Sequence, residues 1–116
     1  MDKDGDSILH RAYSLVHGDR GENYGPPVED FTRTGRMWGA ILGIPDVPPE
    51  KVAMCMAALK MSRECNAPLR ENRIDMAGYA ETLDMVRQCQ EEEARRIAEG
   101  YREIAEQGTQ PKERIA

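Results

Sequence analysis

A stretch past the middle of the chain, Asn72-Arg73-Ile74-Asp75-Met76-Ala77-Gly78-Tyr79-Ala80-Glu81, sets a glycine among small residues inside what reads as a long helix. Glycine in a helix interior costs about 1 kcal/mol relative to alanine. Ala77, Gly78 and Ala80 therefore predict that another helix or a ligand comes very close to this face. Asp75 lies one turn before Tyr79, so both project from one side. The face is either a site or a tight helix crossing.

The helix that carries this stretch starts between Leu69 and Asn72, after the break Asn66-Ala67-Pro68, and runs to about Gln107, with Gly108 and Pro111 ending it. Beyond Val86 its pattern thins, but Ala94, Ile97, Tyr101 and Ile104 keep a 3, 4, 3 spacing among Glu, Arg and Gln. Such an extension has one narrow apolar stripe, suited to a partner helix rather than a broad core.

Three shorter helices are predicted upstream. Asp6 or Ser7 caps the first, with Ile8, Leu9, Ala12, Leu15 and Val16 as its apolar stripe and Gly18 at its end. The run Gly18-Asp19-Arg20-Gly21-Glu22-Asn23-Tyr24-Gly25-Pro26-Pro27 is rich in breakers and reads as a loop. Pro26 and Pro27 suit the start of the second helix, where first-turn N–H groups need no partner. In that helix Val28, Phe31, Gly35, Trp38 and Leu42 recur at 3, 4, 3 and 4 and form one seam. Pro45, Pro48 and Pro49 make a rigid connector, and Glu50 opens the third helix at the positive end of its dipole. The body of that helix, Val52 to Leu59, is apolar all round, which predicts a central helix enclosed on most sides. Lys60, Arg63 and Glu64 mark where it emerges. With no repeats and no strand-like alternation, the expected fold is all-α: about four helices in a compact bundle, the last one long and extended. The chain reads as one domain over residues 1–116, with a frayed N-terminus at 1–5 and a flexible tail at 108–116.

Composition narrows the function classes. Aromatics are 5% and hydrophobics 40%, so the core is aliphatic and methionine-rich, as packed helices allow. A net charge of −5 with 32% charged residues argues against duplex nucleic acid, which needs a basic face, but permits a small anion held by local basic groups. Cys55, Cys65 and Cys89 are widely spaced without a CxxC pair, so neither structural zinc nor a disulfide framework is expected. The expected setting is a reducing cytoplasm, with no signal peptide and no membrane span.

Polar residues gather against apolar elements in three places. In the segment Asp19 to Gly25, glycine-flanked N–H groups and Arg20 suit a phosphate and Tyr24 suits a base; equally, Tyr24 packs on the core and Arg20 meets Glu22. In Lys60-Met61-Ser62-Arg63-Glu64, Lys60 leaves an apolar region and suits a phosphate contact; the plainer arrangement is a solvated helix end with a weak Lys60–Glu64 pair. Glu71, Asp75 and Tyr79 share a face at successive turns. Carboxylates so placed suit Mg²⁺, or Asp75 pairs with Lys60 or Arg63 while Gly78 lets helices touch. His10 and His17 share a face on the first helix and read as ordinary surface. No Ser–His–Asp arrangement is evident, and Cys55 reads as an inert buried thiol.

The order Gly-Asp-Arg-(three residues)-Tyr-Gly-Pro, an aromatic-bearing helix, Val-Ala-Met-Cys-Met-Ala-Ala-Leu-Lys-Met-Ser-Arg and Asp-Met-Ala-Gly-Tyr-Ala resembles a family of small, largely uncharacterised phage and prophage proteins, over roughly Leu9 to Met85. More distantly it is similar to all-α nucleotide pyrophosphohydrolases of the MazG and dimeric dUTPase type, which are helical, oligomeric and Mg²⁺-dependent. Those enzymes carry Glu-Glu-x-x-Glu on one core helix and Glu-x-x-Asp on the next. Here the comparable regions offer Lys60, Arg63 and Glu64, then Glu71 and Asp75 at a different spacing. A multi-Mg²⁺ site needs more negative ligands. Glu91-Glu92-Glu93 lies roughly 24 Å along the axis from Asp75 and does not supply them.

Basic groups in place of metal-binding acids suit direct binding of a phosphorylated ligand. The leading expectation is a small all-α phage-type protein that binds a nucleotide-like anion without necessarily cleaving it; phage proteins that withhold host nucleotide signals from immune effectors offer one biological logic for that. Arg20, Lys60 and Arg63 would meet phosphates, Tyr24 or Tyr79 would stack on a base, and Asp75 would orient them; no cofactor is needed. The enzyme alternative makes Glu64, Glu71 and Asp75 Mg²⁺ ligands for pyrophosphate release. A third reading is a helical interaction module with no small ligand. A homo-oligomer in the cytoplasm of a bacterial host is expected under each.

Overall fold

The computed structural model describes residues 7–108. The expected frayed N-terminus, and the expected tail beyond Gly108, lie outside them. Among the described residues the protein is all-α, in the order α1 (Ile8–Leu15), a π-helical segment (Val16–Arg20), α2 (Gly21–Tyr24), α3 (Pro27–Leu42), α4 (Pro49–Asn66) and α5 (Arg70–Gly108). No helix among the described residues is long and apolar enough to cross a membrane.

Ser7 caps α1, its hydroxyl oxygen accepting the His10 backbone N–H at 3.0 Å. The chain does not break at Gly18. It passes through the π-helical segment into α2 and turns only at Gly25, whose φ of 81° is open to glycine. The expected loop over 18–27 is therefore helical through Tyr24. Two helical glycines cost about 1 kcal/mol each, and the burial of Val16 and Ala12 against α5 outweighs them.

Pro26 and Pro48 stand at N-cap positions, each followed by a proline at N1, as the sequence predicts for α3, whereas α4 opens at Pro49, one residue before the expected Glu50. Phe31 and Gly35 of the α3 seam are buried and Val28 and Trp38 half-buried, whereas Leu42 is exposed. The close approach on this helix is made by glycine against backbone. A Cβ on Gly35 would overlap the Val47 carbonyl oxygen, and one on Gly39 would lie 2.9 Å from the carbonyl oxygens of Ile44 and Pro45. The connector 43–48 is laid along this face, with Ile44 N–H donating to the Gly39 carbonyl and Val47 N–H to the Gly35 carbonyl. Gly78, by contrast, would gain only ordinary contact, 3.5 Å from Val16 Cγ2.

α4 and α5 form an antiparallel hairpin with a shared core of Phe31, Val52, Ala53, Tyr79 and Val86. α4 is not enclosed within one chain. Only Val52 and Ala53 are buried, and Met54, Cys55, Leu59 and Met61 are exposed, because α3 and α5 cover one side of it. Cys55 is accordingly an exposed thiol rather than a buried one.

Glu64 closes the hairpin. Its carboxylate accepts from the Leu69 backbone N–H at 3.0 Å and from Asn72 Nδ2 at 3.2 Å, and pairs with Arg73. These partners, the Leu69 N–H foremost, hold its carboxyl below the ordinary range. At the other end Gln90 Nε2 donates to Glu50 at 2.8 Å, and beyond it α5 leaves the body. The molecule is therefore elongated, 75 × 41 × 22 Å.

Two predictions come from this packing. Gly35→Ala should cost about 1–3 kcal/mol, because the connector backbone has to move. Gly78→Ala should be neutral or stabilising by up to about 1 kcal/mol. Urea unfolding of the two variants tests the contrast; equal midpoints would show that the connector does not need the α3 groove. The Glu64 latch contributes fully above the ordinary carboxyl value of 4.5 and is lost as pH falls through its lowered folded value. The stability gap between wild type and Glu64→Gln should therefore be widest near neutral pH and close on acidification. A gap independent of pH would assign the effect to something other than ionisation.

Candidate functional site

The π-helical segment inserts an extra residue into the turn before α2, a device that recurs at functional sites. Its last residue, Arg20, lies between two aromatic rings. The guanidinium carbon is 5.3 Å from the centre of the Tyr24 ring and 5.0 Å from that of Tyr79, and Nη2 donates to the Tyr79 hydroxyl at 3.4 Å. Each ring contributes about 0.5–2 kcal/mol to holding a partly desolvated cation. Tyr79 is itself buried, at 8% exposure, and tilts against Phe31 with centroids 6.4 Å apart. Tyr24 is 52% exposed and keeps one face in solvent.

No ion pair among the described residues engages Arg20. The guanidinium carries five N–H donors, and it borders a cavity of about 240 Å³. Tyr24 stands beside it, Asp30 and Thr34 of α3 supply polar groups, and Phe31, Val52, Met56 and Tyr79 give the rest of the lining an apolar character. Asp30 is linked to Arg33 at 3.6 Å on its own helix.

Behind Tyr79 a second void of about 30 Å³ is bordered by Arg20, Val16, Gly78 and Asp75. Asp75 does not neutralise Arg20. It pairs instead with Lys60 at 3.0 Å, as one sequence reading foresaw. Lys60 is one helical turn beyond Met56 on α4 and borders neither of these two voids.

Of the sequence candidates, Arg20, Tyr24 and Tyr79 come together at the cavity, whereas Asp75, paired with Lys60, borders the smaller void. Tyr79 is not free to stack on a base, since its ring covers Arg20. Arg63 is exposed and borders neither void. Glu64, Glu71 and Asp75 are not gathered: Glu64 is spent on the hairpin latch, Asp75 on Lys60, and Glu71 is exposed. Among the described residues no three His, Cys, Asp or Glu side chains are grouped to hold a metal ion. His17 meets Glu81 across helices at 2.7 Å and stacks on Tyr13.

Asp30, Thr34, Val52 and Met56 were not among the sequence candidates. Asp30 and Thr34 immediately precede the seam residues Phe31 and Gly35, four apart on α3. A polar pair running beside a buried seam was the available signal.

Comparison with known proteins places this geometry within a family. The model of DUF6378, a domain of unknown function, matches residues 7–87, which contain every residue of the cavity. The gene 55 protein of Mycobacterium phage L5 is 33% identical over 87 residues, covering 74% of this chain and 56% of that protein. The gene 55 protein of Mycobacterium phage D29 is 33% identical over 82 residues, covering 70% of this chain and 54% of that protein. The chain thus spans about half the length of the curated relatives it matches. No solved structure matches it.

Proposed function

The chain belongs to the DUF6378 family and has mycobacteriophage proteins among its relatives, and on that premise we propose that the family domain binds a nucleotide-like phosphorylated ligand at Arg20 without cleaving it. The observation that carries this reading is the half-buried guanidinium, held between two tyrosine rings at the edge of a cavity and left without a carboxylate partner among the described residues. An anion that supplies the missing charge gains charge-assisted hydrogen bonds in a site already partly dry.

The surroundings define the rest of the ligand. The open face of Tyr24 stacks on a base, worth about 1–3 kcal/mol. Phe31, Val52 and Met56 accept its apolar edge, and Asp30 and Thr34 take hydrogen bonds from base or sugar. At about 240 Å³ the cavity holds one part of a nucleotide, being smaller than the roughly 300–1,000 Å³ of pockets that enclose a drug-sized ligand. Lys60, one turn beyond Met56 on α4, is the next cation that a longer phosphate chain would meet, and it would exchange Asp75 for phosphate.

Holding without cleavage fits the acids present. The motif order read from the sequence points to a nucleotide as the ligand class, and of the three carboxylates considered for Mg²⁺, Glu64 is engaged in the hairpin latch, Asp75 in the Lys60 pair, and Glu71 stands apart on the surface. For a phage protein the use of such chemistry is sequestration: a host nucleotide signal is kept from its immune effector.

The test is a thermal-shift screen of nucleotides, cyclic oligonucleotides and ADP-ribose derivatives, followed by chromatography of the recovered ligand after incubation with Mg²⁺. A ligand that binds the native state raises the melting temperature by mass action. We expect a shift with one class, recovery of that ligand intact, and roughly 10–100-fold weaker binding in Arg20→Met, from the loss of about 1.5–3 kcal/mol of charged hydrogen bonding. Pyrophosphate release would replace the binding reading with an enzymatic one. A flat screen would remove the ligand altogether.

A further inference from the structure

α5 continues past its last buried side chain, Val86, and past the Gln90–Glu50 hydrogen bond, into a segment outside the matched family domain. Residues 91–108 span about 27 Å of helix. Every residue of this segment except Gly100 is exposed.

The segment is sorted by face. Ala94, Ile97, Ala98, Tyr101, Ile104, Ala105 and Gly108 fall within an arc of about 120° at 3.6 residues per turn. Every charged residue from Arg95 to Glu106 lies outside it. Ile97, Tyr101 and Ile104 stand 50%, 70% and 64% exposed along the centre of this face. In heptad terms Ala94 and Tyr101 occupy a positions, Ile97 and Ile104 d positions. The flanking e positions are Ala98 and Ala105, and the g positions within the stripe are Gly100 and Gln107.

We propose that this face is covered by the same segment of a second copy, running antiparallel across a two-fold axis near Glu99. Antiparallel a-to-d layers put Ala94 against the partner subunit's Ile104 and Ile97 against the partner subunit's Tyr101, small against large and medium against large, and the two-fold repeats both layers. A parallel pair would instead stack Ala94 on itself and Tyr101 on itself, alternating a gap with a crowded layer. Along the two edges of the antiparallel pair Ala98 meets its own copy and Gly100 meets its own copy, so the backbones approach closely with no like charges opposed.

Charge and length select the same arrangement. Glu91, Glu92 and Glu93 would lie side by side with their copies in a parallel pair. The antiparallel register separates the two clusters by roughly 21 Å along the axis and opposes the helix dipoles favourably. It also sets Gly108 opposite the partner subunit's Gln90, where the body begins, so the pairing takes in all of the described segment beyond the body. The interface is smaller than the roughly 800 Å² per partner of a standard complex, so the dimer forms by concentration and dissociates on dilution.

Sedimentation velocity at tens of micromolar should give twice the monomer mass, falling toward the monomer on dilution. Ile97→Glu should be monomeric throughout, with unchanged helical circular dichroism. Orientation is read by oxidation in a background of Cys55→Ser, Cys65→Ser and Cys89→Ser: Ala98→Cys should form a disulfide dimer and Ile97→Cys should not. A monomer at all concentrations would overturn the proposal and leave the stripe to a different protein. Cross-linking through Ile97→Cys but not Ala98→Cys would overturn the antiparallel register in favour of a parallel pair.

Discussion

The arrangement of this small domain depends on one backbone contact, the laying of the 43–48 connector against the glycine face of α3. Side chains at positions 35 and 39 would occupy the space taken by the carbonyl groups of Val47, Ile44 and Pro45. Because both positions are glycine, the connector doubles back along the helix and its N–H groups donate to the Gly35 and Gly39 carbonyls. α4 then starts close to the middle of α3, which brings Val52 beside Phe31 and Gly35. Phe31 and Val52 both line the candidate cavity, so the shape of the site follows from a contact that none of its polar residues makes.

The polar half of the site follows from how few charges the body half-buries. Arg20 lies over the Tyr79 ring; of the two carboxylates that line voids with it, Asp75 goes to Lys60 and Asp30 is linked to Arg33. Arg20 is left to aromatic rings, which stabilise a cation without neutralising it. A cation held in this way keeps its field and its hydrogen-bond donors for something outside the fold. Had α1 ended at Gly18, Arg20 would sit in a loop free to meet Glu22. The π-helical segment instead keeps the chain helical and fixes Arg20 over Tyr79.

That segment also shows where sequence reasoning reached its limit. Periodicity located α3, α4 and α5, because each has an apolar pattern longer than the punctuation around it. Residues 18–27 have three glycines and two prolines, and local propensity favours a loop there. Propensity differences of about 1 kcal/mol per glycine are small beside the burial of Val16 and Ala12, and that burial was not visible without α5 in place. The same blindness misassigned the tight glycine. Gly78 stood out because its neighbours are small, whereas Gly35 and Gly39 owe their role to a connector that returns from outside the helix. Arg20 and Tyr24 stood out in the sequence as candidates beside chain breakers, and the Lys60–Asp75 pair was one of the arrangements the sequence allowed. Their division of labour was not legible, because it turns on which cation Asp75 reaches.

The long final helix keeps its exposed apolar stripe apart from the candidate cavity. The family domain ends close to Val86, and the cavity is built entirely from residues before that point. An 18-residue helical projection with one apolar stripe adds no wall to it. Isolated helices of that length are marginal in water, but this one is nucleated by the packed turns before it and needs only a partner to dry its stripe. In the proposed antiparallel pair the two bodies stand at opposite ends of a rod about 27 Å long, and no residue that lines either cavity lies in the pairing segment.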